Sequence, residues 1–227
     1  MTFMGGEARM NEKFFDLSRE KQDRMINGAL EVFAKNGFKH ASTDDMVKAV
    51  DVSKGLWFHY FGSKAGIYTF VYGYSVKYMV LEISNIVKSD EKNYFEIMRK
   101  IESAKMKISK NYPYMTRFLE QAQIETDTEI IEQTSEDREF LRDRVEGMIK
   151  NSDIPGVEDK SRRDKIKKIV QYTIQGIERD KLRGGSLDPE GTYREIKNYL
   201  DIVYDMTSAS GNRESNNGTI GMINTVA

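Results

Sequence analysis

The run Ser53–Tyr60, SKGLWFHY, gathers polar and aromatic side chains suited to recognition, not bond making. Lys54, at the front of a short helix, can reach guanine O6/N7 or a phosphate. Gly55 lets a backbone approach a partner closely. Leu56 and Phe58 offer apolar surface suited to thymine methyl groups, and His59 and Tyr60 can donate to phosphate oxygens. Ser53, Thr43 and Lys64 fall at helix N-termini, where amides, hydroxyls and an ammonium together favour anions. Catalytic chemistry finds less support. The chain has no cysteine and only two histidines, His40 and His59, so thiolate chemistry and disulfides are excluded. A two-histidine metal site would need both with a carboxylate, and the acids of 125–143 follow no inward pattern with His. No P-loop, dinucleotide fingerprint or nucleophile elbow occurs. Neither an enzyme nor a cofactor is expected.

The elements that would position these groups are local. In TDDMVKAVDVSKGLWFHYFGSK, residues 43–64, Thr43 is a candidate N-cap and Asp44 and Asp45 suit a first turn. Met46, Val47 and Val50 give that helix a buried side. Asp51-Val52 makes a turn, Ser53 caps a second helix, Gly62 ends it, and Ser63-Lys64 opens a third. Two short helices, a tight turn and a polar-aromatic second helix form the signature of a helix-turn-helix reader of DNA. Trp57 and Phe61 read as packing residues.

Over residues 18–70 the chain closely resembles the N-terminal DNA-binding domain of TetR-type transcriptional regulators, carried by FAKNGFKHASTDDMVKAVDV followed by SKGLWFHYFGSKAGIY. The resemblance implies Lys54, Gly55, Leu56, Phe58 and His59 as the groove-facing set, and Thr43, Ser53, Tyr60 and Lys64 as phosphate contacts. It also implies a divergent helical rear domain for ligand binding and dimerisation. Two positions depart from the pattern. Phe58 stands where tyrosine is common, removing a hydroxyl, and Asp51 stands where glycine is common in the turn. Asp tolerates a left-handed conformation better than most residues.

Composition sets the outer bounds. The 227 residues are 31% charged and 39% hydrophobic with three prolines, the balance of a soluble helical protein. The net charge of −1 does not exclude nucleic acid, because local patches bind phosphate. No apolar stretch approaches the about eighteen residues of a membrane span, and the first twenty residues lack a signal-peptide core, so a cytoplasmic protein with no membrane partner is expected.

The expected fold is all-α: a three-helix helix-turn-helix domain joined to a larger helical domain, about nine helices in all. Residues 1–17 form a leader, with Phe14, Phe15 and Leu17 anchoring the first helix. The reading domain spans 18–64, with Gly37 as a left-handed stop after the helix 18–36. The rear domain spans 65–207, with helices near 64–88, 91–110, 113–125 (opened by Pro113), 128–151, 159–183 and 188–207. From Ser208 the Ser-, Asn- and Gly-rich composition predicts a disordered tail.

In the rear domain Tyr74, Tyr78, Phe95, Met98, Met115, Phe118 and Tyr172 are candidates for an apolar ligand pocket between helices, or else ordinary core. Ile166, Ile169, Val170, Thr173 and Ile177, with Tyr199 and Val203, are candidates for a dimer interface. The resulting expectation is a homodimeric, ligand-responsive regulator, most simply a repressor. A small, largely apolar effector would release it from a near-palindromic double-stranded operator. The competing expectation is a helical small-molecule sensor or carrier that binds no DNA.

Overall fold

Apolar residues at helical spacing give most of the described helices a buried face. This computed structural model describes residues 13–50, 52–183 and 187–220, and among them are ten α-helices and no strand. In chain order they are α1 (Arg19–His40), α2 (Thr43–Val50), α3 (Lys54–Phe61), α4 (Lys64–Ile86) and α5 (Tyr94–Ser109). There follow α6 (Met115–Gln123), α7 (Thr128–Gln133), α8 (Ser135–Lys150), α9 (Lys160–Arg183) and α10 (Pro189–Ile220). The all-α expectation holds. Among the described residues no helix is long and apolar enough to cross a membrane.

The chain forms two compact units, one of Met1–Glu82 with Lys107–Arg144 and one of Ile83–Met106 with Val145–Ala227. The first contains the helix-turn-helix and also α6, which packs extensively on α1. Phe118 of α6 is fully buried, with ring centroids 6.0 Å from Phe33, 5.1 Å from Tyr68 and 6.1 Å from Tyr72. A second aromatic cluster forms around Phe14, which lies 5.3 Å from Phe61 and 5.0 Å from Phe70. Phe14 is thus the leader's anchor, while Phe15 stays exposed.

A polar string runs through the same unit. The Tyr74 and Tyr112 hydroxyls are 2.6 Å apart, and Tyr112 donates to Asp23 Oδ1 at 2.7 Å. Burial, then the contacts to Tyr74 and Asp23, push the Tyr112 hydroxyl well above its ordinary value. The folded state therefore keeps a proton that an unfolded tyrosine releases near pH 10. Once the unfolded chain binds fewer protons, stability falls as pH rises, so Tyr112 adds to an alkaline loss. Thermal melts from about pH 9 to 11 should show a shallower decline for Tyr112→Phe than for the unaltered protein, though from a lower start. Equal slopes would refute this role.

The second unit is laced by ion pairs. Arg99 of α5 bonds Asp201 of α10 at 2.6 Å, and Lys105 bonds both Glu102 at 2.9 Å and Glu178 of α9 at 3.0 Å. Glu102 is buried, which raises its pKa against the pull of Lys105. Lys181 joins Glu195 at 2.7 Å, and an isolated parallel bridge pairs Asn93 with Asp153.

Several helix boundaries differ from expectation for local reasons. Gly37 interrupts α1 at φ 65° and ψ −177°, the positive-φ glycine stop expected there, and a separate short helical turn then runs on to His40. Pro113 lies ahead of α6, whose N-cap is Tyr114. The helix expected over 128–151 is two, because Thr134 turns its hydroxyl back onto Ile130 O at 2.7 Å and accepts from Arg138 Nε at 2.7 Å. Finally, the α10 backbone stays helical through Ile220, past the Ser208 start of the expected tail. Once nucleated, a helix gains one bond per added residue. Residues 221–227, residues 184–186, Asp51 and most of the leader lie outside the described residues.

Candidate nucleic-acid interface

Capping chemistry sets the reading helix. Ser53 Oγ accepts from Leu56 N–H at 3.3 Å, and Gly62 ends α3 at φ 72° with its N–H on Phe58 O at 3.0 Å. Ser63 Oγ then accepts from Gly66 N–H at 3.0 Å and opens α4. At the start of α2, the expected Thr43 cap is corrected. Ser42 supplies the capping oxygen, accepting from Asp44 N–H at 3.1 Å, and Thr43 is the first helical residue, half-buried. Two adjacent hydroxyl residues compete for one role, and only the residue with non-helical geometry can fill it.

The two sides of α3 separate cleanly. Trp57, Tyr60 and Phe61 face inward, and Lys54, Gly55, Phe58 and His59 face out with Ser53, while Leu56 is half-buried. A Cβ added at Gly55 would meet no atom within 4 Å. No packing within the protein therefore requires glycine at this position; an external surface that must come close would.

Two expected phosphate contacts sit differently from expectation. Tyr60 is 8% exposed, its ring 5.9 Å from Phe14, so any phosphate contact rests on its rim alone. Lys64 is half-buried and its ammonium donates to Phe38 O at 3.0 Å and Ala41 O at 3.3 Å, over the Phe38 ring at 4.4 Å. Lys64 first serves as a clasp on the end of α1, with one of its three N–H groups left for an anion. Phe38 N–H in turn donates to Glu125 Oε2 at 3.1 Å, tying α1 to the segment after α6. A further pair escaped the sequence reading. Lys54 Nζ lies 2.8 Å from Asp44 Oδ1, and the Lys54 hydrogen bond, then its charge, hold the exposed Asp44 carboxyl below its ordinary value. No periodicity rule links residues ten apart on different helices.

The pocket candidates are mostly core. Phe95, Met98, Met115 and Phe118 are buried, and the half-buried Tyr74 and Tyr78 stack at 6.1 Å. Phe95 packs on Tyr204 at 5.5 Å. Tyr172 is 65% exposed and so is corrected from lining residue to surface residue: it points off α9 opposite the buried row Ile166, Val170, Ile174 and Ile177. That row removes Ile166, Val170 and Ile177 from the candidate interface as well, because the protomer itself covers them. Thr173 and Val203 are half-buried. Ile169 and Tyr199 remain exposed, and Tyr172 and Ile202 join them as exposed apolar side chains on the same two helices.

Residues 25–69 match the family model of bacterial regulatory proteins, tetR family. A TetR family transcriptional regulator from Chloroflexus aurantiacus superposes with TM-score 0.55 at 16% identity, covering 87% of this chain and 96% of that one. The TetR family regulator PfmR from Thermus thermophilus superposes with TM-score 0.51 at 18% identity, covering 80% and 97%. No curated protein matches the sequence. The N-terminal residues 25–69 thus carry the tetR-family regulatory domain, and the chain shares the fold of these regulators along most of its length.

Proposed function

We propose that the protein is a homodimeric transcriptional regulator that reads a near-palindromic operator and is released by a small, largely apolar effector, acting as a repressor. The carrying observation is the outward face of α3, where Lys54, Gly55, Phe58 and His59 are presented together and no internal contact requires the glycine. Such a helix enters a major groove, and two-fold symmetry repeats the contact one helical turn away. Exposed Ile169, Tyr172, Tyr199 and Ile202 supply apolar surface for a second copy. Thr43, Ser53, Tyr60 and Lys64 flank the reading face as phosphate contacts, with Tyr60 and Lys64 in the reduced roles described above. The effector acts by binding one state of the first unit better than another, since equal affinity shifts nothing. Its route to the head includes Phe118 of α6 and Glu125 just after that helix, as well as α4.

Selection from random duplexes with the purified protein tests the proposal. Expected is a palindromic motif whose binding weakens steeply with salt. Ile169→Glu should reduce the selected motif to a half-site and lower affinity by an order of magnitude or more, because a charge in an apolar interface goes unpaired. Failure to enrich any motif at low salt would favour the helical sensor that does not bind DNA.

A further inference from the structure

The cations of the reading surface are not idle. Lys54 is held by Asp44 at 2.8 Å, Lys48 faces Asp45 at 3.9 Å, and Lys64 is held by two carbonyls. The first pair matters most, because Lys54 opens the reading helix. Its side chain is 50% exposed and that of Asp44 61% exposed, so water, salt and DNA all reach the pair. Asp44 is set in place by its backbone bond to Ser42, in the first turn of α2, where its charge also suits the helix dipole.

We propose that Asp44 is a specificity-determining residue that masks Lys54 from indiscriminate phosphate binding. The inference rests on the DNA-reading role above. A free lysine that meets phosphate releases a condensed counterion, which gives non-specific binding its affinity and its salt dependence. A lysine already paired with a carboxylate gains no such release, because the vacated carboxylate must recruit a cation of its own. On random DNA, Lys54 therefore stays with Asp44 and contributes little. On the operator, a guanine edge offers two directed acceptors, and the exchange becomes favourable. Asp44 thus acts through Lys54, without touching a base itself.

The experiment is a double-mutant cycle on random-sequence duplex across a salt series, with Asp44→Asn, Lys54→Ala and the double variant. Both side chains are exposed, and thermal melts confirm that each variant is folded. Expected is a Lys54→Ala salt slope equal to that of the unaltered protein. Asp44→Asn should steepen the slope by about one unit per reading helix and raise low-salt affinity about tenfold, and adding Lys54→Ala should cancel the steepening. The operator-to-random affinity ratio of Asp44→Asn should fall. If Lys54→Ala flattens the slope equally in both backgrounds, Asp44 acts only as a distant repulsive charge and the masking role is overturned. Absence of any duplex binding by the unaltered protein would overturn the DNA-reading role itself, which the slopes of a binding protein leave standing.

Discussion

Gly66→Ala should disable the reading head, although alanine is the better helix former. A Cβ at Gly66 would lie 2.0 Å from Phe61 O and 3.1 Å from Phe61 C. These are backbone atoms at the end of the reading helix and cannot rotate away. Alanine in place of glycine gains about 1 kcal/mol of helix propensity. Overpacking costs typically about 1–3 kcal/mol where flexible side chains can give way, and a backbone collision belongs at the upper end or above it. The net result is destabilisation of about 2 kcal/mol or more, with α3 pushed from its angle to α4 and operator binding lost. Gly55→Ala is the matched control. With nothing within 4 Å of its new Cβ, it should leave the protein as stable or slightly more so, yet weaken the proposed DNA binding, in which the methyl would enter the groove. Melting curves and operator titrations of the two variants check both halves. A Gly66→Ala protein with normal stability would mean that the close approach of α3 and α4 is not maintained in solution.

Phe118→Ala should lower the stability of the helix-turn-helix head from a position outside α2 and α3. The side chain is fully buried among the rings of Phe33, Tyr68 and Tyr72, so its loss removes contacts from α1, α4 and α6 together. Truncations of this kind cost about 3–5 kcal/mol. That is a large share of a typical total of about 5–15 kcal/mol. Trp57 is the only tryptophan and is fully buried in α3, so its emission reports the head alone. In urea, with a slope of about 1–3 kcal/mol/M, the Trp57 midpoint should fall by about 1 M or more. If only far-UV circular dichroism moved and the Trp57 transition stayed in place, the head would be melting independently of α6. The tie through which an effector is proposed to act would then be absent.

The difference between these two sites also describes what could be read from the chain. The reading helix was legible because its determinants are local. Ser53 caps it, Gly62 stops it, and the spacing of Trp57, Tyr60 and Phe61 by three and one assigns its inner face. Helix periodicity and capping act within a turn or two, and those distances are visible in sequence. The outward set Lys54, Gly55, Phe58 and His59 follows from the same periodicity.

Tertiary structure decided which of several eligible groups performs each role. Ser42 and not Thr43 caps α2, because only one of the two has cap geometry. Lys64 clasps the end of α1 from 26 residues away, Glu125 holds Phe38 from 87 residues away, and Asp44 engages Lys54 across two helices. On α9 the apolar stripe was evident, but Ile169 is exposed and its neighbour Val170 buried. Hydrophobicity shows that a face wants covering, and only packing shows which face the protomer covers itself. Composition, periodicity and caps thus determined that this is an all-α protein with a helix-turn-helix head. The pairing of its charges and the exposure of its apolar stripes arose from contacts distant in sequence, where no local rule reaches.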